Sequence, residues 1–216
     1  MVESEKTRIV IDSGPDFRQQ MLREDVKRLD AVLFTHAHKD HIAGLDDVRA
    51  FNYFLQRPMD VYATPEVKEA IRIEYYYAFD TTIEYPGIPK IDLHTIGLEP
   101  FDIGDIHFIP IQVMHHRLPV HGFRFGDFTY ITDASFISDV EKEKVRGTRY
   151  LVLNALRKEK HISHFNLDEA IELAKDIGAE QTWFTHISHQ LGLHKDILQS
   201  LPEGMALAYD GMQVEF

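Results

Sequence analysis

The run Thr35-His36-Ala37-His38-Lys39-Asp40-His41 constrains this chain more than any other feature of its sequence. Three imidazoles and a carboxylate fall within six positions, directly behind the apolar stretch Ala31-Val32-Leu33-Phe34. Such a stretch reads as a buried strand, so the polar cluster falls in the loop at its end. In an extended loop His36 and His38 project to one side, as alternate residues do. Asp40 and His41 follow where the chain turns into a helix. This arrangement offers ligands to two neighbouring cations, because imidazole and carboxylate suit borderline metals without any thiol.

Further donors recur at strand ends. His115 and His116 close an extended run over 106–114, Asp133 closes 128–132, and His186 closes 182–185. His161, His164, His189 and His194 read as loop residues. Open sheets gather ligands at strand ends, so these residues form a set. The chain has 13 histidines in 216 residues and no cysteine, which excludes disulfides and thiolate zinc sites. Lys and Arg total 23 against 35 Asp and Glu, a net charge of −12. That charge repels phosphate backbones at long range, so nucleic acid is not an expected partner. A small phosphorylated substrate remains compatible, because a bound cation dominates its local field. No apolar run reaches the ~18–20 residues of a membrane span and no signal-peptide pattern opens the chain, so no membrane association and a cytoplasmic location are expected.

The length fits one domain, 1–216. Residues 7–11 read as a short strand ended by Asp12-Ser13-Gly14-Pro15. Residues 17–29 read as a helix with Phe17, Met21, Leu22 and Val26 as its apolar stripe, and 42–55 as a second helix. A strand over 61–63 precedes Pro65, which suits the first position of a third helix. Residues 81–97 carry Pro86, Gly87, Pro89 and Gly97 and read as a long loop. From Phe101 the pattern turns to β, with 106–114, a hairpin of 122–125 and 128–132 about Gly126-Asp127, and strands over 150–154, 182–185, 205–208 and 213–216. Asn166 and Glu169 box the start of a helix over 167–177, and Gly178 ends it. Two sheets packed together and covered by helices suit this order, an α/β chain of the α+β kind.

His36-x-His38-x-Asp40-His41, then His115 or His116, Asp133 and His186, in that order, resemble the metallo-β-lactamase fold superfamily. The likeness runs from about Ile9 to the C-terminus. Within it, 34–49, Leu118-Pro119-Val120-x-Gly122-Phe123-Arg124-Phe125-Gly126, Tyr130-Ile131-Thr132-Asp133-Ala134, Thr185-His186-Ile187-Ser188-His189 and Tyr209-Asp210-Gly211 resemble one branch. That branch contains the phosphoribosyl 1,2-cyclic phosphate phosphodiesterases and neighbours the tRNA 3′-end processing endonucleases. The resemblance implies a four-layer αββα sandwich and a site for two divalent cations, Zn²⁺ or Mn²⁺. It gives His36, His38 and the third-motif histidine to one metal, Asp40, His41 and His186 to the other, and Asp133 to both. His115 is favoured for the third motif, since it shares strand parity with Ile109, Ile111 and Val113. His116 is the alternative, six residues before Gly122 as in the endonucleases. Relatives begin with an earlier strand and glycine-rich loop, whereas this chain starts almost at Asp12, so its sheet is expected to lack the N-terminal strand or strands.

The implied activity is hydrolysis of a small phosphodiester, such as a ribosyl 1,2-cyclic phosphate, by a metal-bridging hydroxide. His164, just ahead of the capped helix, matches the position of a catalytic histidine and is assigned the proton donor, with His161 as second choice. Asp40 is assigned a catalytic as well as a ligating role. Asp12, His189 and Asp210 are candidates to orient ligands. Arg124 is either a phosphate contact or a surface strand residue, and Lys39 is expected to point outward. Alternatives are a tRNA 3′-processing type of endonuclease and a carboxylic ester or lactone hydrolase on the same site. A diiron redox protein of this fold would carry glutamate where His38 stands. The expected partner is the small phosphodiester, and a homodimer is left open.

Overall fold

The computed structural model describes residues 1–83 and 85–216. By internal contacts these residues form two units, Met1–Ile106 and His107–Phe216.

The first unit is built on five strands in chain order: β1 (Val2–Glu3), β2 (Arg8–Ile11), β3 (Ala31–Leu33), β4 (Met59–Ala63) and β5 (Ile91–Thr95). Strand β1 runs antiparallel to β2, and β2 to β5 are mutually parallel. Parallel neighbours need crossover helices. These are α1 (Phe17–Arg23), then α2 (Lys39–Ile42), a 3₁₀ turn (Leu45–Val48) and α3 (Arg49–Leu55), then α4 (Pro65–Glu74) and α5 (Tyr76–Phe79). Their apolar faces and the strands share one core that includes Phe17, Leu29, Val32, Phe34, Leu45 and Ile71. Because β2 and β3 are parallel, the Asp12 turn and the 34–41 loop leave from the same edge.

A short strand β6 (Phe101–Ile103) leads to β7 (Ile106–His115). The second unit continues with β8 (Leu118–Phe125), β9 (Phe128–Ile131), β10 (Phe136–Ile137), α6 (Asp139–Val145), β11 (Tyr150–Asn154), α7 (Leu167–Ile177), β12 (Gln181–Thr185), α8 (His194–Leu198) and β13 (Met205–Leu207). The sheet order is β10-β7-β8-β9-β11-β12-β13. Strands β9, β11, β12 and β13 are parallel, and β7-β8-β9 is an antiparallel meander. Two reversals bring β7 into the direction of β9. The C-terminal ends of β7, β9, β11 and β12 therefore share one edge, where His115, Asp133, Asn154 and His186 stand. Leu151, Leu153 and Phe184 face a core completed by Ala170, Leu173 and Ile177 of α7.

Several elements differ from the sequence reading. The helix expected over 17–29 ends at Arg23, because Asp25 takes φ 49° and the chain turns, leaving Leu22 exposed. The helix expected over 42–55 is three short pieces, because Gly44 presses against the backbone of Gly14. The expected 81–97 loop contains strand β5, and its residue Glu84 lies outside the described residues. No strand forms over 213–216, and His194 opens α8 instead of lying in a loop. The capping box at Asn166 and the left-handed Gly178 are as expected.

Candidate metal centre

In the first unit, the loop after β3 is held by the turn after β2. Asp12, at φ 60°, takes the amide of Thr35 at 2.9 Å on Oδ1, and the Thr35 hydroxyl at 2.8 Å and His41 Nδ1 at 2.7 Å on Oδ2. The Ser13 amide donates to the His41 carbonyl at 2.7 Å, and the Gly44 amide to the Ser13 carbonyl at 2.8 Å. Gly14 lies so close to the Asp40 backbone that a Cβ would sit 2.5 Å from its carbonyl oxygen. Tyr75 of α4–α5 donates its hydroxyl to the Ile42 carbonyl at 2.7 Å, and burial pushes that phenol up to about 12. Within this frame the rings of His36 and His38 lie 4.6 Å apart and those of His36 and His41 4.1 Å apart. His36 and His41 are buried, while His38 and Asp40 are exposed. His36 Nδ1 faces the Thr35 hydroxyl at 3.0 Å. Lys39 points outward and pairs with Glu74.

In the second unit, Asp133 (φ 57°) and His186 (φ 53°) both turn sharply in the left-handed region at strand ends. Asp133 is buried; its Oδ1 accepts from the Thr132 hydroxyl at 2.8 Å and faces His186 Nδ1 at 2.9 Å. His115 Nδ1 contacts two backbone carbonyls, Ser163 at 2.8 Å and Asp133 at 3.0 Å. A ring nitrogen flanked by carbonyls carries the proton. His164 packs between His115 and His186, with ring centroids 4.5 Å and 4.9 Å away, and its Nε2 is 3.8 Å from Asp133 Oδ2. His115, Asp133 and His164 each bring one donor atom within 4.8 Å of the others. His116 is exposed in the β7–β8 turn at φ 57°, its amide on the Ser135 hydroxyl.

The donor chemistry fits divalent transition metals. Imidazoles held at Nδ1 by oxygen atoms and the buried carboxylate of Asp133 suit such cations. Of the residues singled out in the sequence, His189 and Asp210 are exposed. Arg124 donates from Nε to the Gly126 carbonyl and from Nη1 to the carbonyls of Lys144 and Arg146, the setting of the surface strand residue that was the other expectation. The main residue missed is Asn154. It is fully buried, with Oδ1 accepting from the Ala134 amide at 2.7 Å and Nδ2 donating to the Ala134 carbonyl at 2.9 Å. It clamps the residue next to Asp133. The one hint in the sequence is an amide ending the apolar run Tyr150-Leu151-Val152-Leu153.

Residues 7–187 match the beta-lactamase superfamily domain, and the chain belongs to that superfamily. Its fold, family and donor set are those of metal-dependent hydrolases. The crystal structure of a new diphosphatase from the PhnP family superposes with a TM-score of 0.88 at 37% identity, over 96% of this chain and 79% of that one, which puts the chain in the PhnP-like branch. An octanoyltransferase from Porphyromonas gingivalis (strain ATCC BAA-308 / W83) is 38% identical over 208 residues, 95% of this chain and 42% of that protein. A ribonuclease Z from Crocosphaera subtropica is 28% identical over 147 residues, 64% of this chain and 43% of that protein. The chain thus spans about two fifths of the length of these curated relatives. Among the described residues no helix is long and apolar enough to cross a membrane.

Proposed function

We propose that this chain, as one catalytic domain over 1–216, is a dinuclear metal-dependent phosphodiesterase for a small phosphodiester. The observation that carries the reading is the state of the imidazoles. His36, His41 and His115 each engage Nδ1 with a hydroxyl, carboxylate or carbonyl oxygen, the orientation that turns Nε2 outward as in a ligating imidazole. The proposed ligands are His36, His38 and His115 for one cation and Asp40, His41 and His186 for the other, with Asp133 common to both. Zn²⁺ and Mn²⁺ both suit that set. When bound, two such cations supply Lewis acidity and activate water, so no serine or cysteine nucleophile is needed.

The chain's own residues do the rest. Asp12 and Thr35 hold the ligand loop, and Asn154 holds the turn that presents Asp133. His164 gives its Nε2 proton to the leaving oxygen as the P–O bond breaks and the electron pair passes to that oxygen. A sugar alkoxide needs that proton; a phosphate leaving group does not. The 37% identical diphosphatase therefore favours a second reading, a phosphoanhydride substrate.

The test is metal analysis followed by turnover of a ribose 1,2-cyclic phosphate, bis-p-nitrophenyl phosphate, a dinucleoside diphosphate and a precursor tRNA. His164→Ala should keep its metal, lose ~10²–10⁴-fold in kcat on the cyclic phosphate and stay nearly normal on the aryl ester. Failure to bind any transition metal, or equal losses on both esters, refutes the reading. Turnover of the diphosphate alone assigns the second one.

A further inference from the structure

We propose that His161 is a positioning residue for His164, holding the Nδ1 proton of that ring so that Nε2 is the nitrogen that gives and regains the catalytic proton. The inference rests on the reading of His164 as proton donor.

The segment between β11 and α7 is fixed at both ends. The Leu156 amide donates to the Phe165 carbonyl at 3.1 Å, the Phe165 amide to Ala134 at 2.7 Å, and the Leu167 amide to Arg157 at 2.9 Å. The Arg157 guanidinium reaches the Glu159 carbonyl at 3.3 Å, the Lys160 carbonyl at 3.0 Å and Gln190 Oε1 at 2.8 Å. Inside this frame three polar atoms form a triangle. His164 Nδ1 is 3.1 Å from His161 Nδ1 and 3.0 Å from Ser163 Oγ, and Ser163 Oγ is 3.3 Å from His161 Nδ1.

Two ring nitrogens at that distance share one proton, and its owner can be assigned. The Ser163 amide also points at His161 Nδ1, at 3.4 Å. A nitrogen that accepts from an amide presents a lone pair, so the shared proton sits on His164. Burial and the neighbouring charges of His164 and Arg157 lower the His161 pKa, which keeps its ring neutral and its lone pair available.

The proton balance then closes. As imidazolium, His164 carries hydrogens on both nitrogens. The Nε2 hydrogen passes to the leaving oxygen with cleavage of the P–O bond, and the neutral ring that remains is the Nδ1–H tautomer already bonded to His161. Without His161 the Nδ1 hydrogen of the neutral ring keeps only the Ser163 hydroxyl, 3.0 Å away, as acceptor, so the share of the Nε2–H tautomer rises. The arrangement does for His164 what a carboxylate does for the histidine of a hydrolase triad, with a neutral acceptor in place of the charge.

Two measurements test this. In the ¹⁵N-labelled, zinc-loaded protein, imidazole ¹⁵N–¹H correlation spectra should give the Nδ1–H tautomer for His164. His161→Leu should shift it toward Nε2–H, and His161→Asn, which returns an acceptor oxygen near the place of Nδ1, should restore it. In the metal-loaded enzyme, His161→Leu should lower kcat ~10–100-fold on a ribose cyclic phosphate. Its KM, bound metal and turnover of bis-p-nitrophenyl phosphate should stay unchanged, and His161→Asn should recover most of the loss. An Nε2–H tautomer in the unmodified protein, equal losses on both substrates, or no recovery with asparagine overturns the role of His161. If His164→Ala behaves as proposed while His161→Leu does not, only this inference falls. If His164→Ala shows no dependence on the leaving group, the reading beneath it falls as well.

Discussion

Replacing Asn154 by leucine, which keeps the branching at Cγ and has no polar atoms, should damage stability and the metal site together. Asn154 is fully buried and makes two hydrogen bonds to Ala134, at 2.7 Å and 2.9 Å. The two losses are unequal. The Ala134 carbonyl keeps a bond from the Phe165 amide at 2.7 Å, so losing Asn154 there costs about 0.5–1.5 kcal/mol. The Ala134 amide loses the acceptor it has, in a residue fully shielded from water, at about 1–3 kcal/mol. Together the change is roughly 1.5–4.5 kcal/mol, which for a chain of this size lowers Tm by about 3–18 °C. Urea denaturation of the metal-free protein should therefore move its midpoint down with an unchanged slope. Because Ala134 follows Asp133, itself in a left-handed conformation, metal affinity should also fall by ~10–100-fold, as for residues that orient a ligand. A stability loss under about 1 kcal/mol, or full metal affinity in the variant, would refute the argument that this clamp sets Asp133.

Gly44→Ala should be destabilising by about 1–3 kcal/mol, because a Cβ there overlaps the Gly14 carbonyl oxygen, a backbone atom with no room to yield; a neutral effect in a thermal melt would contradict the packing described. Asp30 should contribute to the acid limb of the stability curve. Partial burial raises its carboxyl, but hydrogen bonds from Arg28 at 2.7 Å and the Arg8 amide at 2.9 Å, with the charges of Arg28 and Arg57, hold it below its ordinary value. A carboxyl lowered on folding stabilises the native state above its unfolded pKa of ~3.9, and that contribution disappears as pH falls through the lower folded value. The stability gap between the unmodified protein and Asp30→Asn should thus be constant at neutral pH and close below about pH 4, and a gap that persists to pH 2 would show the bonds matter without the charge.

The candidate metal motif was legible because its information is local. Three histidines and an aspartate in six positions behind an apolar strand announce themselves without any partner, as do the Asn166–Glu169 box and the helix stop at Gly178. What the sequence left open depends on contacts distant along the chain. The choice between His115 and His116 turns on which ring meets the carbonyls of Asp133 and Ser163, 18 and 48 residues away. Strand β5 was hidden among prolines and glycines because its partner, β4, supplies the ladder that its own composition does not advertise. Arg124 carries a charge that fits a phosphate as well as a carbonyl, and only the fold spends it on Lys144 and Arg146. Asn154 and His161 are ordinary residues by type; they gain their roles from Ala134 and His164, atoms that folding brings within about 3 Å. Ligand identity is a property of residue type and spacing. The orientation of each ligand is a property of hydrogen bonds, and those exist only once the tertiary structure has formed.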